Sequence, residues 1–258
     1  MFLTEHVKTK DLYAIKVIRK DVLIEYDQVE STKLEKDILF AASHPNLVGM
    51  DFLFQSDTRL YFVMPFIRGG ELYRIFAEQK RFEEDVVKFY AIQIAMGIGE
   101  LHEQGIMHRD LKLENILIDH KGYVKLIDYG LAKMLGDGDL ALSYCGTPEY
   151  LSPEMVTGEG HDFTVDWWAL GILIYEMLIG VTPFFNKNRN LLQSKIKHAR
   201  VVFPDRKQFK INYSDNLVDI VGLLLKKDRR ERLGAKNGIK EILAHPWFSN
   251  LNVNEILA

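Results

Sequence analysis

The sequence predicts an α+β fold in two lobes, a small β-rich N-terminal lobe followed by a larger, mainly helical one. Three observations carry this. Before residue 65, short β-branched and aromatic runs flank a single stretch with apolar residues at helical spacing. Beyond Glu71, apolar residues recur at helical spacing in segments too long for ordinary strands. Between the two regions lies Pro65-Phe66-Ile67-Arg68-Gly69-Gly70, rich in backbone breakers, so the boundary is expected near residue 68, dividing the chain into 1–68 and 69–258.

Taken in order, Leu12 to Ile18 reads as the first clear strand and Leu60 to Met64 as another. Between them, Gln28 to Phe40 places Val29, Leu34, Ile38 and Leu39 on one helical face among mixed charges. In the second region, Phe89 to Met96, Trp168 to Leu178, Leu217 to Leu225 and Ile239 to Leu243 are helical, with short strands at Ile116 to Ile118 and Val124 to Ile127. The longest apolar run, Trp167 to Gly180, is interrupted by Glu176 and falls short of the roughly 20 residues that cross a bilayer. It is expected to be a helix buried in protein.

At 258 residues with 47% hydrophobic content, the chain can bury a core in each lobe. Its 33 basic and 36 acidic residues are interspersed for a net charge of -3, which gives no overall basic footprint for nucleic acid. The single cysteine, Cys145, excludes an internal disulfide and a thiolate metal cluster and fits a reducing compartment. The opening residues lack the pattern of a signal peptide, so a cytoplasmic or nuclear setting is expected.

Chemistry concentrates in two loops. His108-Arg109-Asp110-Leu111-Lys112-Leu113-Glu114-Asn115 follows a helix and precedes the strand at Ile116, which puts a carboxylate and a carboxamide on one loop. Asp128-Tyr129-Gly130 places a second carboxylate at a strand end. Asn115 and Asp128 offer the hard oxygen donors that Mg²⁺ prefers, leaving Asp110 free to orient or deprotonate a hydroxyl. An isolated aspartate in a loop is usually a turn or cap; here the order and spacing of the motifs argue otherwise.

With these motifs in register, essentially the whole chain resembles the eukaryotic protein kinases. The resemblance implies ATP and Mg²⁺ as cofactors and assigns roles. Lys16, in Ala14-Ile15-Lys16, would hold the α and β phosphates, with Glu35 as its ion-pair partner. Asp110 would be the catalytic base, Lys112 a positive charge near the transferred group, Asn115 and Asp128 the metal ligands, and Thr147 a further member of the catalytic set. Met64 would stand behind adenine, Pro65 and Ile67 would offer it backbone groups, Ala14 and Leu117 would sandwich it, and Glu71 would reach the ribose. Leu39, Met50, His108 and Tyr129 would stack between the lobes, with Tyr129 replacing the family's usual Phe.

Lys112 resembles the serine/threonine kinases, and Cys145-Gly146-Thr147-Pro148-Glu149-Tyr150-Leu151-Ser152-Pro153-Glu154 with Asp166-Trp167-Trp168 resembles the AGC group. In that register Ser143 is the site of an activating phosphate received by Arg109 and Lys133, Glu154 pairs with Arg232, and Asp166 binds the catalytic-loop backbone. Glu71 and Glu114 would select arginine three residues before the target, while Ser194 would leave the second position before it weakly selected. The implied partners are protein substrates with basic residues before Ser or Thr and an upstream activating kinase, with no nucleic acid, no membrane span and a monomeric state. No Gly-x-Gly-x-x-Gly motif precedes Lys16, and the chain ends soon after His245-Pro246-Trp247-Phe248. A fragment without its glycine-rich loop and C-terminal tail is therefore expected, and a non-catalytic scaffold is the alternative. A small-molecule phosphotransferase is disfavoured by the substrate-docking segment Cys145 to Glu154.

Overall fold

The structure is a computed structural model and describes residues 1–136 and 138–257. It is bilobal, with a smaller strand-containing N-terminal region and a larger, mostly helical C-terminal region. The first comprises β1 (Phe2–Glu5), β2 (Leu12–Arg19), α1 (Lys20–Glu25), α2 (Val29–Ala41), β3 (Phe52–Gln55) and β4 (Arg59–Pro65). The strands form one antiparallel sheet in the order β1-β2-β4-β3, with Ala14 opposite Met64 and Lys16 opposite Phe62. The two expected strands are its central pair. Only Phe62 and Val63 among the residues of this sheet are buried, and as neighbours on β4 they point to opposite faces of it.

Helix α2 buries Thr32, Glu35, Ile38 and Leu39, positions that fall on one face at a period of 3.6. It ends at Ala41, shortly before Pro45. Glu35 is thus carried inward on the same face as Ile38 and Leu39, which makes its charge expensive unless it is paired.

The C-terminal region is built on α3 (Leu72–Gln79), α4 (Glu84–Glu103), α5 (Pro153–Thr157), α6 (Thr164–Ile179), α7 (Arg189–His198), α8 (Arg206–Phe209), α9 (Asp215–Leu224), α10 (Ile239–Leu243) and α11 (Val253–Leu257). Four short strands, β5 (Ile106–Met107), β6 (Ile116–Ile118), β7 (Val124–Leu126) and β8 (Lys133–Met134), pair as β5 with β8 and β6 with β7. Helix α6 is buried along almost its whole length and stops at Gly180, whose φ of 97° suits a left-handed terminus. Helix α4 carries Glu84 and Asp85 in its first turn, where carboxylates suit the helix dipole. It approaches β7 so closely that a Cβ at Gly97 would lie 2.8 Å from Leu126. One core runs from Ile38, Leu39, Met50 and Phe62 in the small region through Ile92, Leu126 and Tyr129 to Trp168 and Leu224. No helix among the described residues is long and apolar enough to cross a membrane.

Candidate active site

The connecting segment after β4 lies directly on β6. Gly69 permits this, because a Cβ there would fall 2.3 Å from the carbonyl oxygen of Ile118, and Ile118 N–H donates to the Gly70 carbonyl at 2.9 Å. Leu117 of β6 bridges to Glu71, which precedes α3. These contacts frame a cavity of about 660 Å³ between the sheet and β6. Ala14, Lys16, Glu35, Met64, Pro65, Ile67, Glu71, Leu117 and Asp128 all line it. All nine residues assigned to the nucleotide from the sequence therefore share one cleft.

At its inner end, Lys16 Nζ lies 2.5 Å from Glu35 Oε1 and 3.7 Å from Asp128 Oδ1. One ammonium thus ties β2, α2 and the turn after β7. Glu35 is almost fully enclosed and has its charge met by Lys16, whereas Asp128 is half exposed to the cavity. Asp128 also accepts from Gly130 N–H at 3.3 Å and has φ of 64°. Such left-handed backbone costs a non-glycine residue about 1–3 kcal/mol and persists only where the surroundings enforce it.

Arg109 is the second strained residue of the site, with φ of 66°. The surrounding enforcement is visible. Asp166, fully buried at the start of α6, accepts from His108 N–H and Arg109 N–H at 2.9 Å each and from His102 Nε2 at 2.8 Å. Burial opposes its charge, but the His102 hydrogen bond and charge, the charge of His108 and the Arg109 donor together hold Asp166 below the usual carboxylate pKa. This is the supporting role the sequence suggested for Asp166; His102, 64 residues away in sequence, was not anticipated.

Asp110 follows on the same loop with both carboxylate oxygens engaged. Oδ1 accepts from the Thr147 hydroxyl at 2.9 Å; Oδ2 accepts from Asn115 Nδ2 at 3.0 Å and lies 2.8 Å from Lys112 Nζ. Lys112 also donates to Thr147 Oγ1 at 3.1 Å, closing a ring of three side chains. Burial pushes the Asp110 carboxyl up, yet the hydrogen bonds from Lys112 and Thr147 and the charges of Lys112 and His108 leave it below its ordinary value. Asp110 is therefore an anion at neutral pH, suited to accepting a hydrogen bond and orienting its donor.

Asn115 Nδ2 also donates to the Asp110 carbonyl at 2.8 Å, so its amide is committed on the nitrogen side and its carbonyl oxygen remains as a donor atom for a cation. The half-exposed Asp128 carboxylate lines the cleft, whereas Asn115 lies on the catalytic loop outside its lining; both offer oxygens of the hard type that Mg²⁺ takes together with phosphate oxygens and water. Among the described residues no group of three or more His, Cys, Asp or Glu forms a self-sufficient metal cage.

The remaining sequence assignments fall around this centre. Leu39, Met50, His108 and Tyr129 are all buried, and the His108 and Tyr129 rings meet edge to face at 5.7 Å. The extra hydroxyl of Tyr129 finds the carbonyls of Leu126 at 3.1 Å and Val48 at 3.3 Å. Arg232 binds Glu154 through two bonds of 2.6 and 2.9 Å, both side chains buried. Ser143 is exposed and its hydroxyl is 2.6 Å from Arg109 Nη1; Lys133 lies on β8.

Ser194 is exposed on α7. Glu114 of the catalytic loop and Glu149 act electrostatically on Glu176 of α6. Glu176 receives the Tyr150 hydroxyl, and burial followed by the charges of Glu114 and Glu149 pushes its pKa up to about 7 despite that hydrogen bond. A carboxylate interrupting the apolar run from Trp167 to Gly180 was the available signal, since it could be there only with a partner.

The protein kinase domain family matches residues 1–248. The chain is 39% identical to the RAC serine/threonine-protein kinase of Drosophila melanogaster over 259 residues, covering 100% of this chain and 41% of that protein. It is 42% identical to Protein kinase 2 of Dictyostelium discoideum, covering 93% of this chain and 49% of the relative. It is 39% identical to the cAMP-dependent protein kinase catalytic subunit of Dictyostelium discoideum, covering 98% of this chain and 38% of that protein. The chain thus spans about half the length, or less, of these curated relatives.

Proposed function

Because the chain belongs to the protein kinase family, as a serine/threonine kinase catalytic domain closely related to the AGC group, we propose that it transfers the γ-phosphate of ATP to serine or threonine of protein substrates. The observation that carries this reading is the anionic Asp110, held by Lys112, Asn115 and Thr147 beside a cleft that contains the Lys16–Glu35 pair and Asp128.

In this reading residues 1–68 form the small lobe and 69–258 the large one, with ATP between them. Ala14 and Leu117 enclose adenine, Met64 closes the back, and the Pro65 carbonyl and Ile67 amide face its polar edge. Glu71 reaches the ribose. Lys16 holds the α and β phosphates, positioned by Glu35. Asn115 and Asp128 would hold Mg²⁺, which when bound neutralises phosphate charge. Asp110 orients the attacking hydroxyl and takes its proton as the new oxygen–phosphorus bond forms and the bond from the γ-phosphorus to the β,γ-bridging oxygen breaks, releasing ADP, while Lys112 stabilises charge on the moving phosphoryl group. Thr147 fixes the carboxylate that does this.

Substrates of this site carry arginine before the target residue, because Glu71 and Glu114 are exposed carboxylates flanking it. Ser143 is its activating phosphorylation site. Incubation with ATP, Mg²⁺ and a degenerate serine/threonine peptide library, followed by sequencing of the labelled peptides, tests the reading. Phosphate on Ser or Thr with arginine upstream is expected; labelled products without an upstream basic preference would remove the Glu71 and Glu114 assignment, and no labelling at all would remove the transferase.

A further inference from the structure

Two basic runs that are separated in sequence meet on one face of the large lobe. Lys195, Lys197, His198 and Arg200 fall within six residues at the end of α7, and Lys226, Lys227, Arg229, Arg230 and Arg232 within seven after α9. In a chain with net charge -3 this is a local concentration against the overall balance. Lys227 Nζ donates to the Ile196 carbonyl at 2.6 Å and lies over the rings of Phe184 and Trp168, which fastens the second run to the first.

Between the runs and α5 is a concavity of about 510 Å³. Most of its acidic groups are already committed. Glu154 is held by Arg232, and Asp228 by Arg230. Arg229 is in turn paired with Asp162. Among the described residues Lys197, His198 and Lys227 have no carboxylate partner, and Glu159 is the one unpaired carboxylate of the lining. Burial, and after it the charge of Arg232, depresses Lys227 to about 8.

We propose that this concavity is a docking site for an Asp/Glu-rich segment of the protein substrate, at a distance from the residues that receive phosphate. The inference rests on the kinase reading for its consequence, but the site itself rests on the charge arrangement. Charge complementarity selects an anionic occupant. The shape selects a peptide over a membrane surface, since Lys197, Lys227 and Arg229 are partly buried in a concavity that a flat bilayer does not enter. The groups left for an incoming carboxylate are the Lys197 ammonium and the His198 imidazole, with Lys227 held behind them on the Ile196 carbonyl and the two guanidiniums of Arg229 and Arg230 already paired. Because Pro153 and Glu154 line both this concavity and the end of the segment that carries Thr147, a substrate docked here stays tethered close to Asp110, raising its effective concentration there.

The test is a fluorescence-anisotropy titration of the whole chain with a short labelled Asp/Glu-rich peptide, for the parent, Lys197→Glu/His198→Glu and the milder Lys197→Gln/His198→Gln. The parent should bind, more weakly at high salt, and charge reversal should weaken binding roughly tenfold. Joining the same acidic segment by a flexible linker to a basic target peptide should lower KM for the parent alone, with kcat/KM for the short target peptide equal in all three proteins. Equal binding by parent and variants overturns the proposal, as does Lys197-dependent binding to anionic lipid vesicles without binding to the peptide. The titration needs no turnover, so a chain that transfers no phosphate still decides whether the site exists.

Discussion

Arg109 joins the catalytic loop to Ser143. Its backbone N–H is fixed by the buried carboxylate of Asp166, and its guanidinium donates to the Leu131 carbonyl at 2.7 Å and to the Ser143 hydroxyl at 2.6 Å. A phosphate on Ser143 would replace a neutral acceptor with about -1.5 to -2 charge at a cation whose backbone is already immobile. Ordering of the loop would then act on the residue next to Asp110.

From this arrangement, Ser143→Ala should abolish activation by an upstream kinase, and Arg109→Ala should remove most of the response even when Ser143 is phosphorylated. One charge-assisted hydrogen bond contributes about 1.5–3 kcal/mol, so the loss should be on the order of tenfold or more. Peptide phosphorylation before and after activation measures it; full activation of either variant places the switch elsewhere.

Asp110→Asn should lower kcat by about 10²- to 10⁴-fold. Nucleotide affinity should barely change, because Asp110 is not among the residues that line the cleft. Titration calorimetry with ATP and steady-state kinetics separate the two effects. Turnover equal to that of the parent would remove Asp110 from the mechanism.

Ser152 stands where the AGC pattern has alanine, and the exchange has a consequence that similar size conceals. Its side chain is fully buried and the hydroxyl has no hydrogen-bond partner. Leaving such a group unsatisfied costs about 1–3 kcal/mol. Ser152→Ala should therefore stabilise the protein by roughly 1 kcal/mol and raise Tm by about 2–4 °C. Thermal denaturation decides it, and an unchanged or lower Tm would mean that the hydroxyl is satisfied in solution.

The parts of the site legible in the sequence are those whose members share a loop or a strand. Asp110, Lys112 and Asn115 lie within six residues, and β6 and β7 announce themselves as short apolar runs. The α6 helix was legible because burial on every side needs no periodicity. Strands β1 and β3 were not, since their residues are almost all exposed and show no alternation of burial. Pairings across the fold were equally hidden. His102 with Asp166, Tyr150 with Glu176 and the two basic runs are brought together by helix packing, and no local pattern in either partner encodes the other.

The Tyr150–Glu176 pair gives the last prediction. Burial raises the Glu176 carboxyl to about 7, above the ordinary value of 4.5, with the charges of Glu114 and Glu149 adding to the shift and the Tyr150 hydrogen bond opposing it. A folded-state pKa above the unfolded one means that the folded protein binds the extra proton. The resulting stability is complete below about 4.5 and is lost as pH rises through about 7, and its size is at most a few kcal/mol. Between pH 5 and 8 the parent should thus lose stability that Glu176→Gln keeps. Over the same interval Glu176 gains negative charge beside Glu114, so affinity for a peptide with two arginines before the target should rise with pH in the parent and stay level in the glutamine variant. Tyr150→Phe removes the donor that favours the ionised form and should move the midpoint of both changes upward. Urea denaturation and peptide affinity measured across this pH interval check the three proteins together; identical pH profiles for parent and Glu176→Gln would show that Glu176 stays ionised throughout.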